Sequence, residues 1–143
     1  MRHISPMGLD LIKQFEGFSA TTYICPAGYP TIGYGHMLRH GELFGVISKT
    51  DAVELLCQDV SVAERAVLRL IDVPLGDHQF DALVSFTYNL GSGALQCSTL
   101  RRKVNREEHD EVPEQLMRWV WSSGRKLPGL VKRRRAESLL YQV

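Results

Sequence analysis

Near the start of the chain, Leu11, Ile12 and Phe15 fall on one helical face behind Ser5-Pro6, where serine can cap orphan amides and proline fits the first helical position. The spacing predicts a helix that ends at Glu16-Gly17, because glycine readily takes the left-handed conformation that closes a helix. The Glu16 carboxyl is then expected at the very end of the helix, where a chain can meet a cleft. From Phe18 to His36 the pattern changes. Thr21, Thr22, Tyr23 and Ile24 read as a strand, Cys25-Pro26-Ala27-Gly28 as a turn, and Tyr29 to Tyr34 as the partner strand. Ser48-Lys49-Thr50-Asp51 has the form of a capping box, and behind it Ala52, Leu55, Leu56, Val60 and Ala63 recur at helical spacing and continue through Val67 to Leu70. Such a helix is long enough to bridge two lobes.

After Val73-Pro74-Leu75-Gly76, the run from Gln79 to Leu90 is apolar on nearly every face, so it belongs in the core. Gly91-Ser92-Gly93 is expected to stop it. Shorter helices follow around Ser98 to Asn105, Val112 to Trp121 and Gly129 to Tyr141, separated by Asn105 to Asp110 and Ser122 to Pro128. The order implies a single α+β domain with a cleft between unequal lobes. The β-rich lobe takes about residues 18–47, the connecting helix about 48–70, and the helical lobe 1–17 and about 71–143, with Glu16 at the junction.

Composition narrows the class. A chain of 143 residues with 44% hydrophobic and 23% charged content is an ordinary globular domain. Its 17 Lys plus Arg against 16 Asp plus Glu give a net charge of +1, which argues against nucleic acid as a partner. Basic residues do collect at Arg101 to Lys103 and at Lys132 to Arg135, an asymmetry that a polyanionic cell wall could sense. Three cysteines without a CxxC pair point to free thiols, with no disulfide scaffold, metal site or cofactor expected, and Cys57 and Cys97 read as buried small side chains. The opening residues lack the apolar run of a signal peptide or a membrane span, so no stable membrane insertion is expected.

Among residues that could carry chemistry, Glu16 comes first. Glycoside hydrolysis needs a carboxylic acid to protonate the leaving oxygen and a second group to activate water or stabilise charge on the sugar ring. A carboxyl at the end of an apolar helix can be partly desolvated, which favours its protonated form; the same position equally suits a plain solvated glutamate. Thr31 can hold a water, and the pleat could bring Cys25 and Thr31 toward one face. Gly33 and Gly35 permit close backbone approach, and His36 is a donor and acceptor at the strand end. Asn89, at the end of the core helix, could reach the cleft or simply cap the helix. Tyr88, Trp119 and Trp121 read as core aromatics.

Taken together, Phe15-Glu16-Gly17, Tyr23-Ile24-Cys25-Pro26-Ala27-Gly28 and Thr31-Ile32-Gly33-Tyr34-Gly35-His36 resemble the catalytic signature of the phage lysozyme family. Gln79 to Phe86, Asn89-Leu90-Gly91, Arg118-Trp119-Val120 and Leu127 to Val131 leading to Arg133-Arg134 resemble that family's helical lobe in the right order. The resemblance implies a lysozyme-like fold and a muramidase that hydrolyses the β-1,4 bond between N-acetylmuramic acid and N-acetylglucosamine in bacterial peptidoglycan. It places Glu16 on the general acid, Thr31 on the threonine that positions water, and Asn89 on a polar substrate contact. It suggests that His36 orients the hairpin by hydrogen bonding toward the acid, and that Arg133 or Arg134 pairs with Glu16 or anchors its helix. At least two residues of the Lys132 to Arg135 run should still be solvated.

Where many members of that family carry Asp, this chain has Cys25, and a thiol with an ordinary pKa of about 8.5 is mostly neutral at pH 7. Cys25 could act as a base or nucleophile, shape the water site, or be silent; a secondary role is expected, with inversion at the anomeric carbon favoured by the resemblance. A monomer is expected, collecting in the host cytoplasm until lysis; the resemblance further implies that it reaches the periplasm and wall through a holin pore. Two other readings are a lytic transglycosylase, which would leave anhydro ends, and a wall-binding module that lost its chemistry.

Overall fold

The computed structural model describes residues 1–143. Helix α1 (Pro6–Glu16) starts where the Ser5 hydroxyl accepts the Gly8 N–H and stops at Gly17, whose φ of 72° suits a residue without a Cβ. Two buried carboxylates fix the segment leading into it. Asp81 accepts the Ser5 N–H at 2.9 Å and the Ser5 hydroxyl, while Glu64 accepts the Ile4 N–H at 2.6 Å.

A three-stranded antiparallel sheet follows, with β1 (Ser19–Ile24), β2 (Pro30–Gly33) and β3 (His36–Met37) in that spatial order. Tyr23 pairs with Thr31, and Thr31 with Met37, so one row of side chains runs across one face of the sheet. The third strand was not expected. It is only two residues long and too short to show alternation.

Helix α2 (Lys49–Leu70) opens on a complete capping box, with the Asp51 N–H on the Ser48 hydroxyl at 3.1 Å and the Ser48 N–H on the Asp51 carboxylate at 3.3 Å. Its buried residues Ala52, Leu56, Val60, Ala63, Ala66, Val67 and Leu70 keep helical spacing. The stripe has two partners. Ala52 joins Ile32 and Ile47 beneath the sheet, and Leu56 onward joins the large helical core, so α2 ties the two parts together.

Helix α3 (Asp77–Leu90) is the centre of that core, with every residue from Phe80 to Thr87 buried. Burying one large apolar side chain of this kind contributes roughly 1.5–3 kcal/mol. Gly91, at φ 92°, ends α3 but does not end helix formation: α4 (Ser92–Cys97) begins at the next residue and α5 (Thr99–Asn105) after Ser98. A 3-10 turn (His109–Glu111) leads into α6 (Val112–Leu116), which is shorter than the expected Val112 to Trp121 helix. Beyond it the chain forms a small hairpin, β4 (Trp121–Ser122) and β5 (Arg125–Lys126), within a stretch expected to include a separator. The last helix, α7 (Pro128–Tyr141), packs against α3 and α6.

Other expectations need correction. Cys57 and Cys97 are exposed, because each sits on a solvent-facing side of its helix. Trp121 is exposed on β4, whereas Trp119 packs edge-on against Phe86 with ring centroids 5.4 Å apart. The expected basic patches are also smaller than the sequence suggests. Lys103 pairs with Glu108 at 2.8 Å and Glu111 at 3.2 Å, while Arg133 and Arg134 are buried and Lys132 and Arg135 exposed. No helix is long and apolar enough to cross a membrane.

Candidate active site

A cleft of about 540 Å³ opens between the sheet and the helical body. Glu16, Tyr88 and Asn89 line it from α1 and α3, Asp59 and Val62 from α2, and Tyr23, Cys25, Pro26, Thr31, Gly35 and Met37 from the sheet and its turns. The four residues singled out for direct chemistry, Glu16, Cys25, Thr31 and Asn89, therefore share one cavity.

The end of α1 carries Glu16 to the cleft with its side chain 23% exposed, so the carboxyl is neither sealed in nor free in solvent. Arg133 of α7 donates to Oε2 at 2.5 Å. The other oxygen faces Gly35: a Cβ built there would lie 2.9 Å from Oε1. Gly35 has φ 83°, a backbone conformation that also favours glycine, so the loop approaches the acid closely for two separate reasons. Asn89 lies in the last turn of α3, where its side-chain oxygen accepts from Arg134. It does not cap the helix, since Gly91 does.

Across the cleft, the Cys25 N–H bonds the Tyr29 carbonyl at 2.9 Å, and the Gly28 N–H bonds the Cys25 carbonyl at 2.8 Å. This tight turn folds back over the sulfur. Hydrogen bonding from the Tyr29 main chain holds the thiol below its ordinary range; partial burial opposes this, and the Thr31 hydroxyl and the Ala27 and Gly28 main chain reinforce it. Thr31 is buried, with its hydroxyl 2.9 Å from the Tyr29 carbonyl. Its oxygen keeps lone pairs to accept from a water in the cleft.

His36 does not reach toward Glu16. Its ring is buried between two other carboxylates, with Nδ1 2.7 Å from Asp59 and Nε2 3.0 Å from Glu42. The Arg39 N–H at 2.6 Å and the His36 ring hold the Glu42 carboxyl below the usual range. His36 therefore clamps β3 to α2. Of the two arginines, Arg133 pairs with Glu16, and Arg134 serves Asn89.

Sequence reasoning set Tyr88 aside as core. It lines the cleft between α1 and α2, and burial together with the nearby Glu16 and Asp59 charges pushes its phenol well above the usual range. The signal lay in its place directly before Asn89. Asp59 and Gly35 also line the cleft; Asp59 drew no notice in the sequence because nothing marks it as the partner of His36. No group of three or more His, Cys, Asp or Glu is placed to hold a metal.

Residues 13–137 match the family model described as phage lysozyme. An endolysin of Acyrthosiphon pisum secondary endosymbiont phage 1 is 38% identical over 145 residues, covering 98% of each chain. An endolysin of Bacillus phage B103 is 40% identical over 141 residues, 97% of this chain, which spans 54% of that relative's length. Among solved structures, the muramidase domain of SpmX from Asticaccaulis excentricus superposes with a TM-score of 0.90 at 34% identity, covering all of this chain and 99% of that one.

Proposed function

Since the chain belongs to the phage lysozyme family, we propose that it is an endolysin muramidase, hydrolysing the β-1,4 bond between N-acetylmuramic acid and N-acetylglucosamine in peptidoglycan. One observation carries this reading: Glu16 stands in a cleft opposite Thr31 and Cys25, with one carboxyl oxygen held by Arg133 and the other facing the cavity beside Gly35.

In this reading a glycan strand lies in the cleft and Asn89 hydrogen-bonds an N-acetyl group, its amide oriented by Arg134. Glu16 gives its proton to the bridging oxygen as the bond to the anomeric carbon breaks. A water held by Thr31 attacks that carbon from the opposite face and so inverts it. The proton lost by the water passes to the Cys25 sulfur, whose depressed pKa raises its thiolate fraction at neutral pH. Arg133 and Arg134 fix the acid and the amide, and His36 fixes the sheet that carries the water site. Access to the wall is through a holin pore.

Product analysis of digested peptidoglycan tests the proposal. New reducing muramic acid ends are expected from the wild-type protein and none from Glu16→Gln, which keeps the side chain's volume while removing the acid. Anhydro ends would replace the proposal with a lytic transglycosylase, and binding without cleavage would leave a wall-binding module. A Glu16→Gln protein that still cuts would move the acid elsewhere.

A further inference from the structure

Behind the cleft lies a layer of charge closed to solvent. Glu137 of α7 is fully buried, and its carboxylate has three neighbours. The Ser85 hydroxyl of α3 donates to Oε2 at 2.6 Å, Arg134 Nε lies 3.0 Å from Oε1, and Arg133 Nε lies 3.6 Å from Oε2. From there Arg133 reaches forward to Glu16, touching the Ser85 carbonyl at 3.5 Å on the way, and Arg134 reaches forward to Asn89. Two lines of contact thus leave one carboxylate and end on the acid and on the amide proposed to hold substrate.

Stability alone does not explain this arrangement. Well-packed apolar residues commonly replace a buried ion cluster without loss of stability. This one is also incompletely satisfied: Arg133 Nε, Arg134 Nε and Nη1, and Glu137 Oε1 make no aligned hydrogen bond. Burial pushes the Glu137 carboxyl up, while the two guanidiniums and Ser85 pull it back.

We propose that Glu137 is a positioning residue for glycan cleavage, dividing two guanidiniums between the Glu16 carboxyl and the Asn89 amide. The inference rests on the muramidase reading above. With Glu137 charged, Arg133 has a carboxylate on each side. With it neutral, the full Arg133 charge bears on Glu16 and favours the ionised form of the group that must deliver a proton. The other ionisable groups lining the cleft with Glu16 are the Tyr88 phenol, Asp59, Tyr23 and the Cys25 thiol; Glu137 meets only the two arginines and Ser85.

The test measures kcat and KM against pH on soluble glycan strands for wild type, Glu137→Gln, Glu137→Asp and Ser85→Ala. In Glu137→Gln, kcat is expected to fall about 10-fold to 100-fold, the scale of misplaced catalytic groups. KM is expected to rise as Asn89 loses its fixed orientation, and the basic limb of the pH profile to move to lower pH. Glu137→Asp keeps the charge and should keep the wild-type limb. A folded Glu137→Gln protein whose profile superimposes on that of wild type would overturn the inference. Should that protein fail to fold, Ser85→Ala decides: its limb should move the same way, and an unmoved limb overturns the proposal. If the wild-type protein releases no reducing muramic ends, the muramidase reading itself fails; normal cleavage with an unmoved limb removes only the role of Glu137.

Discussion

Replacing Gly35 by alanine should damage catalysis far more than stability. The residue has φ 83°, and an L side chain forced into a left-handed conformation costs roughly 1–2 kcal/mol. The added Cβ would sit 2.9 Å from Glu16 Oε1, where ordinary contact begins at 3.4 Å, so the carboxyl must retreat by about half an ångström. Because the carboxyl is the far end of a flexible side chain, anchored only through Arg133, that retreat adds little to the folding cost. It does move the proposed proton donor and bend the Arg133 contact. If a 1 Å misplacement costs ~10²-fold, half of that predicts a loss of kcat of about tenfold. Gly41 supplies the control, with φ 85° and nothing within 4 Å of its added Cβ. Both alanine variants should melt about 3–6 °C below wild type, whereas only Gly35→Ala should lose activity in initial-rate assays on peptidoglycan. Equal kcat in the two variants would refute the close approach of loop and acid.

Two further outcomes are expected. Thr31→Ala should reduce kcat more than Cys25→Ser, and Cys25→Asp, which also offers a base, should retain or improve it; the reverse order would rank proton acceptance by sulfur above the positioning of water by Thr31. In an alkaline absorbance titration, two of the five tyrosines, Tyr88 and Tyr141, should keep their protons well past the ordinary phenol pKa of about 10. The unfolded chain releases those protons first, so stability is intact below about pH 10 and falls as pH rises beyond it. Five tyrosines titrating together would show that both rings are open to water.

Elements with strong local signals were legible in the chain. Ser5-Pro6 with Gly17, the Ser48 to Asp51 box and the apolar run of α3 each state a beginning, an end or a depth through local chemistry. The structure departs where that chemistry is thin. β3 rests on two residues, and the β4–β5 hairpin pairs exposed residues around Ser123 and Gly124, whose positive φ values of 51° and 76° make the turn. Gly91 ends α3 as its sequence position implies, but it is also a joint, since a positive φ redirects the chain into α4 at the next residue. In the site, it was the resemblance to the phage lysozyme signature, and not spacing alone, that grouped Glu16, Cys25 and Thr31, which line one cleft. The resemblance also offered Glu16 as the partner of Arg133 or Arg134, and Arg133 takes it; the partners of His36 were not legible, because pairing across a fold depends on which elements pack. Nothing local marks Asp59 or Glu137 as the waiting carboxylate.

The bond between Glu16 and Arg133 joins residues 117 positions apart. A ribosome releasing roughly 5–20 residues per second presents the acid several seconds before the guanidinium that will hold it. On the proposed reading, a chain that ends before α7, or one nicked so that α7 is freed, lacks the guanidinium that holds Glu16 and is expected to leave peptidoglycan uncut.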